Sequence, residues 1–343
     1  MTKPKHHASR SVHRFSLEAL LSLTDTPDMA FPPCDAALRK RLTRWFGLIL
    51  FLISTPLTAM EALVDSNWLA TNKLAKDLFL LDIQTPEQYR HAHIAGAVNA
   101  PYVLWRGRKN TDSAGMMPSI SDLERMAGEL GMDRNSVVVI IATGNQASDM
   151  AASSRVFWSL KVMGHRQLAI LNGGLADYAK AHASDLEDTP RHGAPTRYAA
   201  TPDKRIVAST ADVSAALHDA TQLLDARTLG EYTGVITLKA KERPGTIPGA
   251  RHIPFDWFVD SQDRIRNKAM VSAIFQYADL NPDRDGTIHF CHTGHRAALS
   301  WFVDYAILGN RNAKLYDASM SEWALLKSNP METRFDAQRY TAP

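Results

Sequence analysis

An internal repeat restricts the fold of this chain more than any other feature of its sequence. Three blocks recur in the same order: residues 80–89 as 223–232, residues 93–101 as 246–254, and residues 171–178 as 316–323. Solenoid proteins repeat units of about 50 residues or fewer, and these copies are spaced much farther apart than that. The chain is therefore expected to carry two copies of one domain.

Within each copy, short apolar strands alternate with helical patterns. Residues 137–141 (VVVII) are β-branched throughout, as expected of a strand buried on both faces. Residues 150–162 and 297–308 carry apolar side chains at helical spacing. This alternation predicts an α/β fold of two tandem domains, each with a central, mostly parallel sheet flanked by helices. A functional loop is expected at the carboxyl ends of the strands.

The domain boundaries follow from the repeat and from a change in composition. Residues 182–205 contain Pro190, Pro195 and Pro202, many charges and few large apolar side chains, which is typical of a linker. We predict an N-terminal extension over residues 1–60, a first domain over 61–181, this linker, a second domain over 206–330 and a tail over 331–343. Residues 233–243 are extra in the second copy and are expected to form a polar surface loop.

The N-terminal extension has the features of a secretory signal. Its segment 39–59 places basic residues before the apolar run 45–54 and ends on the small residue Ala59. The run is shorter than the roughly 20 residues of a membrane-spanning helix. We expect export to the periplasm with cleavage near Ala59; a retained membrane anchor and a cytoplasmic protein are the alternatives. Either Met1 or Met29 can be the start.

The composition limits the classes of partner. The formal net charge is +3, with 39 basic and 36 acidic residues. Proteins that bind nucleic acid or anionic membranes carry a strong basic patch, often with interleaved aromatic residues, and the sequence shows no such stripe. This balance argues against nucleic acid and against a membrane as partners of the mature chain.

The cysteines point to chemistry at one position. The chain has only Cys34 and Cys291, and cleavage near Ala59 would leave one thiol and no internal disulfide. Cys291 ends an apolar strand and lies just before the helical pattern 297–308. Unpaired N–H groups in a tight loop and at a helix start favour thiolate over thiol. Cys291 is therefore the candidate nucleophile, and simple burial of a small hydrophobic residue is the alternative.

The repeated blocks and the cysteine loop together resemble the tandem-domain rhodanese family of sulfurtransferases. The Leu-Leu-Asp…Glu-x-Tyr, Ile-x-Gly-Ala, cysteine-loop and Tyr-Asp-x-Ser-x-Ser-Glu-Trp blocks follow the family's order across residues 62–326. The resemblance implies that Cys291 takes a sulfane sulfur from thiosulfate or 3-mercaptopyruvate as a persulfide and passes it to cyanide or a thiol. It implies no metal, no organic cofactor, and catalysis in the second copy only. The first copy has Ile141 or Ala142 in place of the cysteine, so its loop 145–148 is expected to be non-catalytic.

The resemblance also implies roles for the residues around the cysteine. The anion-holding loop is formed by His292, Thr293, Gly294, His295 and Arg296. Arg296 is expected to fix the loop and add positive charge, and the two histidines to add charge or pass a proton. Arg227 is expected to bind the donor's carboxylate or sulfonate, which suits a guanidinium. Asp225 is expected to order the loop near the active site rather than to react.

Two other functions remain open at this stage. Phosphatase-like and arsenate-reductase-like enzymes also use a cysteine, loop amides and an arginine, but the related phosphatases have five residues between Cys and Arg. Four residues separate Cys291 from Arg296 here. A non-enzymatic persulfide carrier would need only the loop and the thiol. The loop sequence CHTGHR matches neither the two-cation loops of thiosulfate enzymes nor the small-residue loops of mercaptopyruvate enzymes, so the donor also stays open.

Overall fold

The structure is a computed structural model that describes residues 60–107, 115–281 and 286–335. The signal-like segment 39–59, Cys34 and residues 336–343 of the predicted tail lie outside these residues. The described residues belong to one compact unit. Among the described residues, the structure contains no helix of the length and hydropathy needed to cross a membrane.

The first half of the described chain forms an α/β domain. Its strands are β1 (Leu63–Val64), β2 (Leu78–Asp82), β3 (His93–Ile94), β4 (Val98–Asn99), β5 (Val137–Ile141), β6 (Leu168–Leu171) and β7 (Leu186–Glu187). Its helices are α1 (Ser66–Asn72), α2 (Pro86–His91), α3 (Ile120–Glu129), α4 (Ala147–Val162) and α5 (Gly174–His182), with short 3-10 turns at Tyr102–Trp105 and Ala183–Asp185. Five strands form a parallel sheet in the order β4-β2-β5-β6-β1, and β3 pairs with β7 in an antiparallel ribbon.

The second half repeats this arrangement. Its strands are β8 (Val207–Ala208), β9 (Gln222–Asp225), β10 (Arg251–His252), β11 (Thr287–Phe290) and β12 (Lys314–Tyr316). Its helices are α6 (Thr210–Ala216), α7 (Leu229–Thr233), α8 (Lys268–Tyr277), α9 (His295–Phe302) and α10 (Ser319–Trp323), with 3-10 turns at Lys204–Ile206 and Phe255–Phe258 and a π-helix at Val303–Leu308. The parallel sheet has the order β10-β9-β11-β12-β8, the same as in the first domain. The predicted fold of two α/β domains with parallel sheets is confirmed.

Strand register identifies the first-domain residue that corresponds to the cysteine. Asp82 pairs with Ile141 across β2 and β5, and the repeated residue Asp225 pairs with Phe290 across β9 and β11. Ile141 therefore corresponds to Phe290, and the following residue, Ala142, corresponds to Cys291. From the sequence, either Ile141 or Ala142 could correspond to Cys291, because both are apolar and follow one another. The strand pairing shows that the corresponding residue is Ala142.

The two domains pack through their buried helices. Twelve of the 16 residues of α4 are buried, so the helix lies in the interior rather than on a surface. Phe157 of α4 contacts two rings of α9, Phe302 edge-on at a centroid distance of 4.9 Å and Trp301 at 6.4 Å. Aromatic pairs of this kind contribute about 0.5–1.5 kcal/mol each beyond their buried area. Since α9 begins directly after the cysteine loop, this packing sets the loop against the first domain.

Candidate active site

Cys291 lies at the carboxyl end of β11, where its main chain is fixed by the start of α10. The residue is buried, with 1% of its surface exposed. Its N–H donates to the Ser319 hydroxyl at 3.1 Å, and its carbonyl accepts from the Met320 N–H at 3.1 Å. Ser319 has a left-handed backbone (φ 53°), which is uncommon outside glycine and is held here by the tertiary structure. The structure therefore places the thiol on a rigid support.

The loop after Cys291 presents main-chain donors. Three residues separate Cys291 from the first residue of α9, whereas four separate Ala142 from α4. Gly294 turns the chain into the helix with φ 71°, and a side chain there would come within 2.8 Å of the Asp317 carbonyl oxygen. Among the described residues, no acceptor is recorded for the N–H groups of His292, Thr293 and Gly294. These donors are free to bind an anion or a charged sulfur.

Arg296, the second residue of α9, forms a two-pronged ion pair with Glu231. Both nitrogen–oxygen distances are 2.7 Å, and Glu231 is 3% exposed. Burial alone would raise the pKa of Glu231, but the hydrogen bonds and charge of Arg296 outweigh burial and lower that pKa to about 2. Burial likewise opposes the charge of Arg296, and its bonds to Glu231 raise its pKa nevertheless. The pair fixes the loop to α7, while the Glu231 carboxylate compensates the positive charge expected of Arg296.

Arg227 and Asp225 form a buried pair at the end of the neighbouring strand. Arg227 Nε lies 2.9 and 3.0 Å from the two Asp225 carboxylate oxygens, and Nη2 lies 2.6 Å from Oδ2. Nη2 also donates to the Gly245 carbonyl at 2.9 Å, and the Thr246 hydroxyl donates to Asp225 at 2.8 Å. No protein acceptor is recorded for Arg227 Nη1 within the described residues. Asp225 thus orders this loop, and one nitrogen of Arg227 is left for another anion.

The two loop histidines have different environments. His292 Nε2 lies 2.8 Å from a carboxylate oxygen of Glu242, in the loop that is extra in the second copy. His295 turns toward the first domain, with Nδ1 2.6 Å from the Tyr102 hydroxyl and Nε2 3.0 Å from the Ser148 hydroxyl. Burial, followed by repulsion from nearby arginines, lowers the pKa of His295 to about 3. At this pKa His295 is neutral near pH 7 and adds no positive charge, and its role in passing a proton stays a prediction.

The extra loop 233–243 is exposed over residues 235–241, as the sequence predicts, but it is less polar than expected. Val235, Ile236 and Leu238 are about half exposed or more, so its tip is apolar. Its far end is fixed by Arg243, which donates to the carbonyls of Trp323, Ala324, Leu326 and Asn329. This loop closes over a cavity of about 10 Å³ beside Arg227 and His292. A cavity of that size holds one water at most.

A large cleft lies mainly on the first domain, and Cys291 is not among the residues that line it. Its volume is about 1560 Å³, and its lining comes from loops after β2 and β5, including Gln84, Thr143 and Ser148. Only Thr293 and His295 of the cysteine loop contribute to its wall. Ala142, the first-domain counterpart of Cys291, is one of the residues that line this cleft.

Several residues of the site could not be assigned from sequence. Glu231 and Ser319 lie in repeated blocks of the sequence, but the repeat does not show which residues they contact. Glu242 lies in the extra loop, and Tyr102 and Ser148 come from the other domain. These contacts depend on packing between segments far apart in the chain, which sequence pattern does not report.

The first domain keeps the aspartate of the pair without its arginine. Asp82 is fully buried and accepts from the Gln84 main chain and side chain at 2.9 Å each. Burial raises the pKa of Asp82 from 3.8 to about 6, because these bonds and one from Asn99 offset burial only in part. The folded state thus holds this proton more tightly than the unfolded chain does. The free energy of unfolding is therefore expected to fall by about 3 kcal/mol as pH rises from about 3 to about 7, with about 2 kcal/mol of the fall between pH 4 and pH 6.

Replacing Gln84 with arginine is expected to remove this pH dependence. The new guanidinium would pair with Asp82 as Arg227 pairs with Asp225, and Gln84 borders the large cleft, which leaves room for it. Urea unfolding at pH 4 to 7 should show a flatter profile than the wild type and a more stable protein at pH 7. Gln84→Met adds no charge, so its free energy of unfolding should still decrease as pH rises. Equal slopes for Gln84→Arg and wild type would contradict the assignment to Asp82.

Comparison with known proteins gives matches to both domains. The rhodanese-like domain profile matches residues 65–181 and 209–326. A thiosulfate sulfurtransferase of Pseudomonas aeruginosa is 30% identical over 280 residues, covering 80% of this chain and 97% of that protein. A putative thiosulfate sulfurtransferase of Haloferax volcanii is 27% identical over 287 residues, covering 80% and 97%.

Solved structures share the same fold. The crystal structure of SseA from Escherichia coli, described as a 3-mercaptopyruvate sulfotransferase, aligns with a TM-score of 0.66 at 24% identity, over 76% of this chain and 99% of that one. EanB in complex with ergothioneine aligns with a TM-score of 0.69 at 18% identity, over 80% and 70%. At these identities the likeness shows the fold alone.

Proposed function

The chain belongs to the rhodanese family of sulfurtransferases, and from this premise we propose that it moves a sulfane sulfur through a persulfide on Cys291. The donor is a small anion, thiosulfate or 3-mercaptopyruvate, and the acceptor is cyanide or a small thiol. The observation that carries the proposal is the cysteine loop: a nucleophile at a strand end, followed by N–H groups with no protein acceptor among the described residues. Ala142 at the corresponding position of the first domain has no nucleophile.

The proposed reaction has two displacement steps. The Cys291 thiolate attacks the outer sulfur of thiosulfate, a sulfur–sulfur bond forms, and sulfite leaves with the electron pair of the broken bond. With 3-mercaptopyruvate, the carbon–sulfur bond breaks instead. Pyruvate leaves as its enolate, which takes the proton of the donor thiol, and the persulfide is left as its anion. Cyanide or a thiolate then attacks the outer sulfur of the persulfide and restores the Cys291 thiolate. Loop amides lower the energy of both charged sulfur states without chemistry of their own.

The charges around the loop support an anionic donor held largely by neutral groups. Arg296 is compensated by Glu231, and most of Arg227 by Asp225. The free N–H groups and Arg227 Nη1 are then the donors that remain for a carboxylate or sulfonate. The cavity of about 10 Å³ beside Arg227 is smaller than either donor, so entry on this side requires displacement of the loop 233–243.

Arg227→Gln is expected to impair the donor step selectively. In the first domain the residue that corresponds to Arg227 is Gln84, and its side chain donates to Asp82. A glutamine at position 227 is therefore expected to donate to Asp225 in the same way and to keep the domain folded. Loss of a charged hydrogen bond to the donor should lower kcat/KM for thiosulfate by about 10- to 100-fold. Transfer from the preformed persulfide to cyanide, measured by rapid mixing, should be unchanged. Equal losses in both steps would contradict a donor-binding role.

Steady-state turnover tests the proposed function. The mature chain is incubated with thiosulfate or 3-mercaptopyruvate and cyanide, and thiocyanate is measured against time. Repeated turnover with one of the donors supports a sulfurtransferase. A single equivalent of transferred sulfur without turnover would indicate a carrier, and hydrolysis of p-nitrophenyl phosphate without sulfur transfer would indicate a phosphatase-like enzyme.

We also propose that the protein is exported to the periplasm. The support is the basic and apolar pattern of segment 39–59, which ends on Ala59. Cell fractionation combined with the mass of the mature N-terminus tests this proposal. A cytoplasmic protein that retains residues 39–59 would contradict it.

A further inference from the structure

Arg106 of the first domain binds the main chain of the cysteine loop. Its Nη2 donates to the Thr293 carbonyl at 2.9 Å and lies 3.1 Å from the Thr293 hydroxyl. In a trans peptide the carbonyl and the next N–H point in opposite directions. Because Arg106 binds the Thr293 carbonyl, the Gly294 N–H points away from Arg106. Arg106 therefore fixes the direction of one of the free loop amides.

Arg155 of α4 lies behind the same loop. It is fully buried, stacks over Trp158 at 4.8 Å, and forms a close ion pair with Asp317 of the second domain. The other carboxylate oxygen of Asp317 accepts from the Met117 N–H at 2.7 Å, so the first domain holds Asp317 on both sides. Gly294 packs against Arg155 and Asp317, and there is no room for a side chain. A displaced Arg155 would leave Gly294 unsupported.

His295 supplies a third contact to the first domain. Its two ring nitrogens lie against the hydroxyls of Tyr102 and Ser148, and Arg106 donates to the same Tyr102 hydroxyl at 3.0 Å. Three successive residues of the loop, 293–295, therefore contact the first domain. The second domain alone leaves these contacts unmade.

We propose that the first domain, which has Ala142 where the second domain has Cys291, positions the cysteine loop for sulfur transfer through Arg106 and Arg155. The inference rests on the proposed function and adds two positioning residues to it. Arg106 sets the orientation of the Gly294 amide, and Arg155 with Asp317 sets the position of Gly294. Both act through the loop rather than on the donor, so they govern the rate of sulfur transfer more than the affinity for the donor.

Arg106→Met tests the first contact, with Arg125→Met as the matched control. Both arginines line the large cleft, but the ion pairs of Arg125 within the described residues are with exposed Asp122 and Glu129 and not with the cysteine loop. Loss of one oriented amide should lower kcat by about 10- to 100-fold. The KM for the donor should change less than threefold, Arg106→Lys should recover part of kcat, and Arg125→Met should match the wild type.

Alkylation of Cys291 by iodoacetamide gives a second readout that does not need turnover. Poorer support of the thiolate should shift the pH profile of the alkylation rate to higher pH in Arg106→Met and leave it unchanged in Arg125→Met. If Cys291 of the wild type reacts with iodoacetamide but transfers no sulfur, the proposed function fails. The comparison of alkylation rates between Arg106→Met and Arg125→Met still tests the contact of Arg106 with the loop. Identical profiles and kcat for Arg106→Met and Arg125→Met would overturn the inference, as would a higher KM with unchanged kcat.

Arg155→Lys tests the second contact, with Phe157→Leu as its control. Phe157 lies on α4, as Arg155 does, and its ring packs against Trp301 and Phe302 of α9. Phe157→Leu should therefore loosen the packing between the two domains without removing the contact of Arg155 with Asp317. We expect Arg155→Lys to lower kcat more than Phe157→Leu does at equal thermal stability. A fall in kcat that follows stability in both variants would overturn the role of Arg155.

Discussion

Cys291→Ser is expected to abolish sulfur transfer, lowering kcat/KM by at least about 1000-fold, because the serine hydroxyl is not ionised near neutral pH and forms no persulfide. The substitution is close to isosteric. The main-chain bonds of residue 291 to Ser319 and Met320 do not involve the thiol, so they should survive. Thiocyanate formation from each donor, measured beside the thermal midpoint of the variant, checks this result.

The second cysteine of the full-length chain provides the control for this experiment. Cys34→Ser should keep wild-type activity, since Cys34 lies outside both matched domains. A folded Cys291→Ser protein with more than a tenth of the wild-type rate would show that another group carries the sulfur. If Cys291→Ser is inactive because it does not fold, Cys291→Ala is measured in its place. A folded and inactive Cys291→Ala protein would assign the loss of activity to the thiol.

Removing one partner of the Arg296–Glu231 pair is expected to have the largest effect on stability. Arg296→Met leaves the Glu231 carboxylate buried without its cation, which costs about 3–5 kcal/mol of the free energy of unfolding. The double variant Arg296→Met/Glu231→Gln should recover most of that stability, because no buried charge is left. It should not recover activity, because the loop is no longer held to α7. Urea unfolding and thiocyanate assays on the same samples check both expectations.

The pH dependence of this loss has a defined sign. The pKa of Glu231 is about 2 in the folded state, below its ordinary 4.5, so the pair's contribution is present above about pH 4.5 and is lost as pH falls toward 2. The difference between wild type and Arg296→Met should therefore shrink at low pH. The exposed pair Arg125–Glu129 is the control, and Arg125→Met should leave the free energy of unfolding almost unchanged. Equal losses at the two sites would contradict a special role for the buried pair.

The fold could be predicted from local and repeated features. The β-branched run 137–141 becomes β5, and the helical patterns at 150–162 and 297–308 appear in α4 and in α9 with its π-helical continuation. These signals are strong because a buried parallel strand and a buried helix leave a clear apolar pattern. Duplication then predicts that both copies adopt the same sheet, and the structure supplies the order of its strands.

The site could be predicted only in part, because its electrostatics depend on contacts between distant segments. His295 reads as a polar loop residue in the sequence, yet the hydroxyls of Tyr102 and Ser148 enclose it and it is neutral. The extra loop 233–243 reads as polar, yet its apolar tip is exposed and Glu242 contacts His292. The charge of His295 and the contact between Glu242 and His292 both depend on packing between distant segments. Sequence analysis therefore finds these residues but does not predict their charge or their contacts.

The most direct test of the central claim is intact-protein mass spectrometry of the mature chain after separate incubation with thiosulfate and with 3-mercaptopyruvate. The account predicts that one donor adds the mass of a single sulfur atom, that Cys291→Ser does not gain it, and that cyanide removes it. No added sulfur with either donor, on a protein whose Cys291 still reacts with iodoacetamide, would contradict the persulfide and with it the proposed sulfur transfer.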